Sequence, residues 1–192
     1  MTAITVEGLT FNFPNGWRTA QFDEWGFYKN QFQRIGNARL PCSDEKCDGE
    51  ICCARCGKTR VAGNKGIDIL AIEKTSCCWC IEVKDYRLHR RTKTIDLADE
   101  VALKIRDSLA ALAAARANAV GDEKTMANAA LTCPRLRVVL HLEQPLKHSK
   151  LFPRAIAPAN VLQRLKQLIK AIDPHPLVVE KAQMNGVAWS VN

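Results

Sequence analysis

The chain has no apolar run approaching the roughly 20 residues of a membrane-spanning helix, and its one Ala-rich stretch is interrupted by Arg116. Its first residues, Met1 to Glu7, lack the basic n-region and the apolar h-region of a secretory leader. Low-complexity tracts and internal repeats are also missing. These absences point to a cytoplasmic chain with no membrane partner. Acid is in deficit as well: 20 Asp and Glu stand against 28 Lys and Arg, a net charge of +8. A basic surface favours polyanions, nucleic acid first and an anionic membrane surface second. With 192 residues and 47% hydrophobic content, the chain is long and apolar enough for one well-cored domain spanning 1–192.

What the chain has in excess is cysteine, nine residues in all. A reducing compartment disfavours disulfides, and an odd count leaves one thiol over. Five of the nine, Cys42, Cys47, Cys52, Cys53 and Cys56, fall within fifteen residues, in a loop spanning 41–58. Cys53-x2-Cys56-Gly57 has the shape of a zinc knuckle, and tetrahedral zinc takes four thiolates on such turns. Cys42 and Cys47 would complete the ligand set, with Cys52 spare or substituting. A structureless loop of this length is uncommon, so something is expected to hold it.

The organising stretch lies just after this loop. Gly66 to Ile72 and Cys78 to Tyr86 read as two short apolar strands joined by a polar turn. Asp68 sits in the first, Glu82 and Lys84 in the second, where buried strands normally carry no charge. Buried charges are paired or bind a metal. Alternation puts Glu82 and Lys84 on one face. A four-residue turn would oppose Asp68 to Ile81, on the wrong face, whereas a five-residue turn opposes Ile72 to Cys78 and Asp68 to Glu82. The longer turn, or a bulge, is therefore expected.

Asp68 followed by Glu82-Val83-Lys84, within Ile81 to Arg87, resembles the PD-(D/E)xK nuclease superfamily. The resemblance covers 22–143 in order of elements, but only the motif matches by residue. Ile67 stands where the family often has proline. The resemblance implies an α/β fold: a mixed central sheet flanked by helices, a restriction-endonuclease-like core at 22–143. The Cys-rich loop is then inserted in it, and 144–192 forms an appendage of a helix plus a hairpin. It also implies a metal-dependent nuclease acting on DNA, RNA not being excluded. Asp68, Glu82 and Lys84 would be catalytic, with Asp68 and Glu82 holding Mg²⁺ or Mn²⁺. Hard divalent ions suit carboxylates; the ion activates a water, and the lysine supplies a point charge. Two other readings are a non-catalytic DNA-binding module and a zinc-stabilised interaction subunit. A homodimer or larger complex is left open.

The remaining chain reads in order. Residues 10–13 and 17–22 form a hairpin across Asn15-Gly16. Asp23 caps a helix to about Arg34, with Trp25, Tyr28 and Phe32 on one face. Glu24 is an acidic candidate near the metal, although a first-turn glutamate also suits the helix dipole. Cys78 and Cys80 read as small buried hydrophobes. Arg87, Arg90, Arg91 and Lys93 form a basic loop suited to phosphates, and His89 is a surface or contact residue. Asp96 caps a helix to about Ala119, with Lys104 and Arg106 facing either nucleic acid or solvent. A helix over 122–131, a strand over 135–143, a basic loop over 144–154 and a helix over 158–172 follow. Residues 177–183 and 187–191 close as a hairpin across Asn185-Gly186.

Overall fold

The computed structural model describes residues 2–35, 63–89, 91–145 and 156–192. The cysteines Cys42, Cys47, Cys52, Cys53 and Cys56 therefore lie outside the described residues, as does Arg90.

Strands β1 (Thr2–Val6) and β2 (Leu9–Phe13) form an antiparallel hairpin. Its turn residues Glu7 and Gly8 have φ of 49° and 78°. Two left-handed residues twist the turn in step with the strands. On its other edge β2 pairs with β8 (Ser190–Val191), giving a three-stranded sheet ordered β1-β2-β8.

The larger sheet has five strands. They are β3 (Trp17–Gln21), β4 (Ile69–Glu73), β5 (Cys77–Asp85), β6 (Leu136–Glu143) and β7 (Leu177–Val179), in that spatial order. The first three pair antiparallel, while β5, β6 and β7 run parallel. Parallel neighbours need crossovers. Helices α1 (Leu97–Asn118) and α2 (Gly121–Thr132) make the first, and α3 (Pro158–Leu168) makes the second. The class is thus mixed α/β, with a mixed sheet flanked by helices.

Both faces of β5 are covered, which explains its near-continuous apolar run. Cys78 and Cys80 pack with Val101, Ile105 and Leu112 on the helix side. Cys77, Trp79, Ile81 and Val83 pack with Phe11, Phe13 and Trp189 on the side of the small sheet. The result is three layers: helices, large sheet, small sheet. Between the sheets Trp17 stacks on Trp79 at 6.3 Å, and Trp189 meets Trp79 edge-on at 5.3 Å. Among the described residues no helix is long and apolar enough to cross a membrane.

The central hairpin keeps the expected register. Ile72 opposes Cys78, and the ladder runs from Glu73↔Cys77 to Ile69↔Ile81. Asp96 caps α1 by accepting from Ala98 N at 2.8 Å. Three expectations are corrected. Residues 10–13 and 17–22 do not pair with each other: β2 belongs to the small sheet, and β3 pairs with β4 in the large one. Likewise β7 pairs with β6, and β8 with β2. Both Asn-Gly turns carry the chain from one sheet to the other, as corners in stacked sheets do. The helix expected over 23–34 is broken instead. A 3-10 turn (Phe22–Glu24) ends at Trp25, which is extended, and a π-helical turn (Tyr28–Phe32) follows. Glu123 of α2 accepts from Gly26 N at 2.7 Å and Phe27 N at 3.0 Å, so the second turn is capped from across the fold.

Candidate functional site

Asp68 immediately precedes β4, and three contacts hold it there. Ser108 Oγ of α1 accepts from Ile67 N at 2.9 Å, Asp107 accepts from Lys65 N at 3.0 Å, and Phe22 N donates to Asp68 O at 2.9 Å. Gly66 lies against the Tyr28 ring, where an added Cβ would stand 2.9 Å from Cζ. Only glycine allows this approach. The Asp68 carboxylate reaches across to β5, where its Oδ2 accepts from Val83 N at 2.6 Å.

Glu82 and Lys84 extend from β5 on the helix side. Glu82 is fully buried, and its Oε1 lies 2.7 Å from Lys84 Nζ. The structure brings Asp68, Glu82 and Lys84 together as the alternation of the strand predicts. A fourth group completes the cluster: Lys104 of α1 stands 2.6 Å from Glu82 Oε1 and 3.3 Å from Asp68 Oδ1. Glu82 Oε2 is buried with no hydrogen-bond partner among the described residues.

The electrostatics follow from burial. Desolvation, then the Asp68 charge, push the Glu82 carboxyl up to about 7, against the pull of Lys104 and Lys84. Burial would lower both ammonium groups, but the neighbouring carboxylates hold Lys84 and Lys104 above the usual lysine range. Asp23 borders the cluster. Burial, then Asp68, raise it to about 6, and its Oδ1 has no hydrogen-bond partner among the described residues. Asp23 is therefore no helix cap. Glu24 pairs with Lys29 and is half exposed.

Three cations of the basic loop are paired with carboxylates. Arg87 pairs with Asp85 at 2.6 Å. Arg91 donates to Glu100 at 2.7 Å, and Lys93 pairs with the same carboxylate. His89 is exposed. Arg106 pairs with Asp107 at 2.7 Å, so of the two α1 cations only Lys104 enters the site. Cys78 and Cys80 are buried free thiols. The hydrogen bond to Cys80, then burial, hold the Cys78 thiol well above its usual range.

Lys104 was missed because a lysine on a helix reads as surface. Its spacing held the signal: Leu97, Val101, Lys104, Ser108, Ala111 and Ala115 form one core-facing stripe. Lys104 is the only charge in it.

The chain is 34% identical over 220 aligned residues to the cysteine--tRNA ligase of Neisseria meningitidis serogroup A / serotype 4A (strain DSM 15465 / Z2491). The alignment takes in all of this chain and 30% of that ligase. The chain thus spans about a third of the length of the curated relative it matches. No family model matches, and no solved structure matches.

This similarity overturns the reading of the motif. The relative is a tRNA ligase, a different enzyme class from a nuclease. The PD-(D/E)xK resemblance, the DNA nuclease activity, the hydrolase class and the DNA partner are accordingly corrected, and nothing favours the DNA-binding or interaction-subunit alternatives. The physical reason lies in the motif itself. Three charged residues on a buried hairpin report a charge cluster, and the same cluster serves unrelated chemistry.

Proposed function

We propose that this chain is a tRNA-engaging module related to part of a cysteine–tRNA ligase. The observation that carries the reading is the alignment of its full length with a segment of that enzyme. The net charge of +8 supports a polyanionic partner.

The cluster of Asp68, Glu82, Lys84 and Lys104 is the proposed site within that module. The cluster offers a divalent ion two carboxylates, Asp68 and Glu82. No group of three or more His, Cys, Asp or Glu is placed to hold a metal among the described residues. Mg²⁺, however, keeps several waters and needs only one or two carboxylates. Asp68 and Glu82 supply two, and the buried Glu82 Oε2 has no other partner among the described residues. When bound, the ion supplies positive charge for a phosphate oxygen of the RNA. Lys84 adds a compact charge beside it, and Asp68 holds the hairpin in register through Val83 N.

Filter binding of tRNA in Mg²⁺ tests this assignment. The Asp68→Asn, Glu82→Gln double variant is expected to bind more weakly than the parent in Mg²⁺ and equally in EDTA. Equal affinity of parent and variant in Mg²⁺ would remove the cluster from the RNA site.

A further inference from the structure

We infer that Lys104 is the site's own exchangeable cation: its ammonium holds the place between Asp68 and Glu82 that a divalent ion would take, and yields it by moving toward Asp23. This inference rests on the ion reading proposed above.

The geometry is specific. Asp68 and Glu82 come from different strands, and Lys104, from α1, spans both at 3.3 and 2.6 Å. Its side chain is 14% exposed, so it is inserted into the site rather than lying over it. The two carboxylates and the two ammonium groups of Lys84 and Lys104 balance in charge. A divalent ion added to that set would leave two positive charges in excess within a few ångströms, in a buried setting where such repulsion is weakly screened. One lysine has to leave.

Lys104 is the one with somewhere to go. It lines a cleft of about 280 Å³ together with Asp23, Tyr28, Lys65 and Gly66. Asp23 brings to that cleft a buried Oδ1 with no hydrogen-bond partner among the described residues. A lysine stem has four rotatable bonds and a point charge with no fixed fork geometry, so it can change partner within one cavity. Lys84 stays on Glu82 throughout, which keeps the fully buried carboxylate paired.

Calorimetric Mn²⁺ titration and amine labelling test the exchange. In titration, Lys104→Met should bind Mn²⁺ about tenfold or more tighter than the parent, and Asp23→Asn more weakly. Thermal melts establish that each variant is folded. Labelling uses the unaltered chain, so it does not depend on a variant folding. Acetic anhydride followed by mass spectrometry should modify Lys104 slowly in EDTA and several-fold faster in saturating Mn²⁺. If folded Lys104→Met binds Mn²⁺ no tighter than the parent, or Lys104 labelling is unchanged by Mn²⁺, the exchange is wrong while the ion site stands. If neither parent nor Lys104→Met binds Mn²⁺, the ion reading fails and this inference with it.

Discussion

Glu100 is 1% exposed and fastens the segment after β5 onto α1, accepting from Arg91 and Lys93. Burial would raise its pKa, but the hydrogen bonds from Lys93 and Arg91 bring it down to about 2 from 4.5. A depressed folded-state pKa gives stability that is present above the unfolded value and lost as pH falls through the folded one. Glu100→Gln should therefore cost about 1–2 kcal/mol at pH 7, a figure discounted because Lys93 is half exposed. The difference from the parent should shrink between about pH 4.5 and pH 2. Urea unfolding across that range checks it, and a constant difference would mean the pair contributes no charge-dependent stability. At this scale the sequence was legible where side chains alternate: Asp68, Glu82 and Lys84 converge as strand geometry dictates. Asp23 was misread because Asp at a helix start suggests a cap, and the side chain is half-buried within reach of the Asp68 charge instead. For the basic loop the sequence shows cations without their partners. Asp85 and Glu100 neutralise three of its charges.

Among the elements, the β4–β5 turn carries an identifiable strain. Lys74 and Thr75 have φ of 44° and 76°, and neither is Gly or Asn. A β-branched residue in the left-handed region is costly, on the order of 1–2 kcal/mol. Thr75→Gly should recover about 1 kcal/mol of that after the entropy glycine adds to the unfolded chain. A thermal melt reads the gain, and an unchanged or lower Tm would show the turn is relaxed as it stands. Turn position was legible in sequence: Gly16 and Gly186 have φ of 84° and 85°, but Asn15 and Asn185 are not left-handed, so neither turn is the type I′ turn of an Asn-Gly hairpin. The partners of the flanking strands were not, because a local turn does not choose between two sheets. The tryptophans between the layers show what does, since Trp17 and Trp189 each pack on Trp79. The Cys-rich loop remains a proposal from spacing, with its ligands outside the described residues. About one zinc per chain is expected after purification without chelator, lost in the Cys53→Ser, Cys56→Ser double variant. Elemental analysis showing no zinc in the parent would end that reading.

At the scale of the whole molecule, the large mixed sheet sets the hairpin of Asp68, Glu82 and Lys84 against α1, which adds Lys104. The α/β class, a mixed sheet with flanking helices, was expected from the nuclease resemblance and holds at that coarse level, although the resemblance itself does not. The function was not legible, because the motif describes how charge is buried, whereas the alignment is to a part of a tRNA ligase. The central claim is that the partner is tRNA rather than DNA. Competition filter binding tests it most directly: labelled tRNA bound to the chain in Mg²⁺ is challenged with unlabelled tRNA and with duplex DNA of equal nucleotide count. The account predicts that tRNA displaces the label at a concentration about tenfold or more below that of DNA, a margin of about 1.4 kcal/mol. Equal displacement by DNA, or no tRNA binding at all, would contradict it.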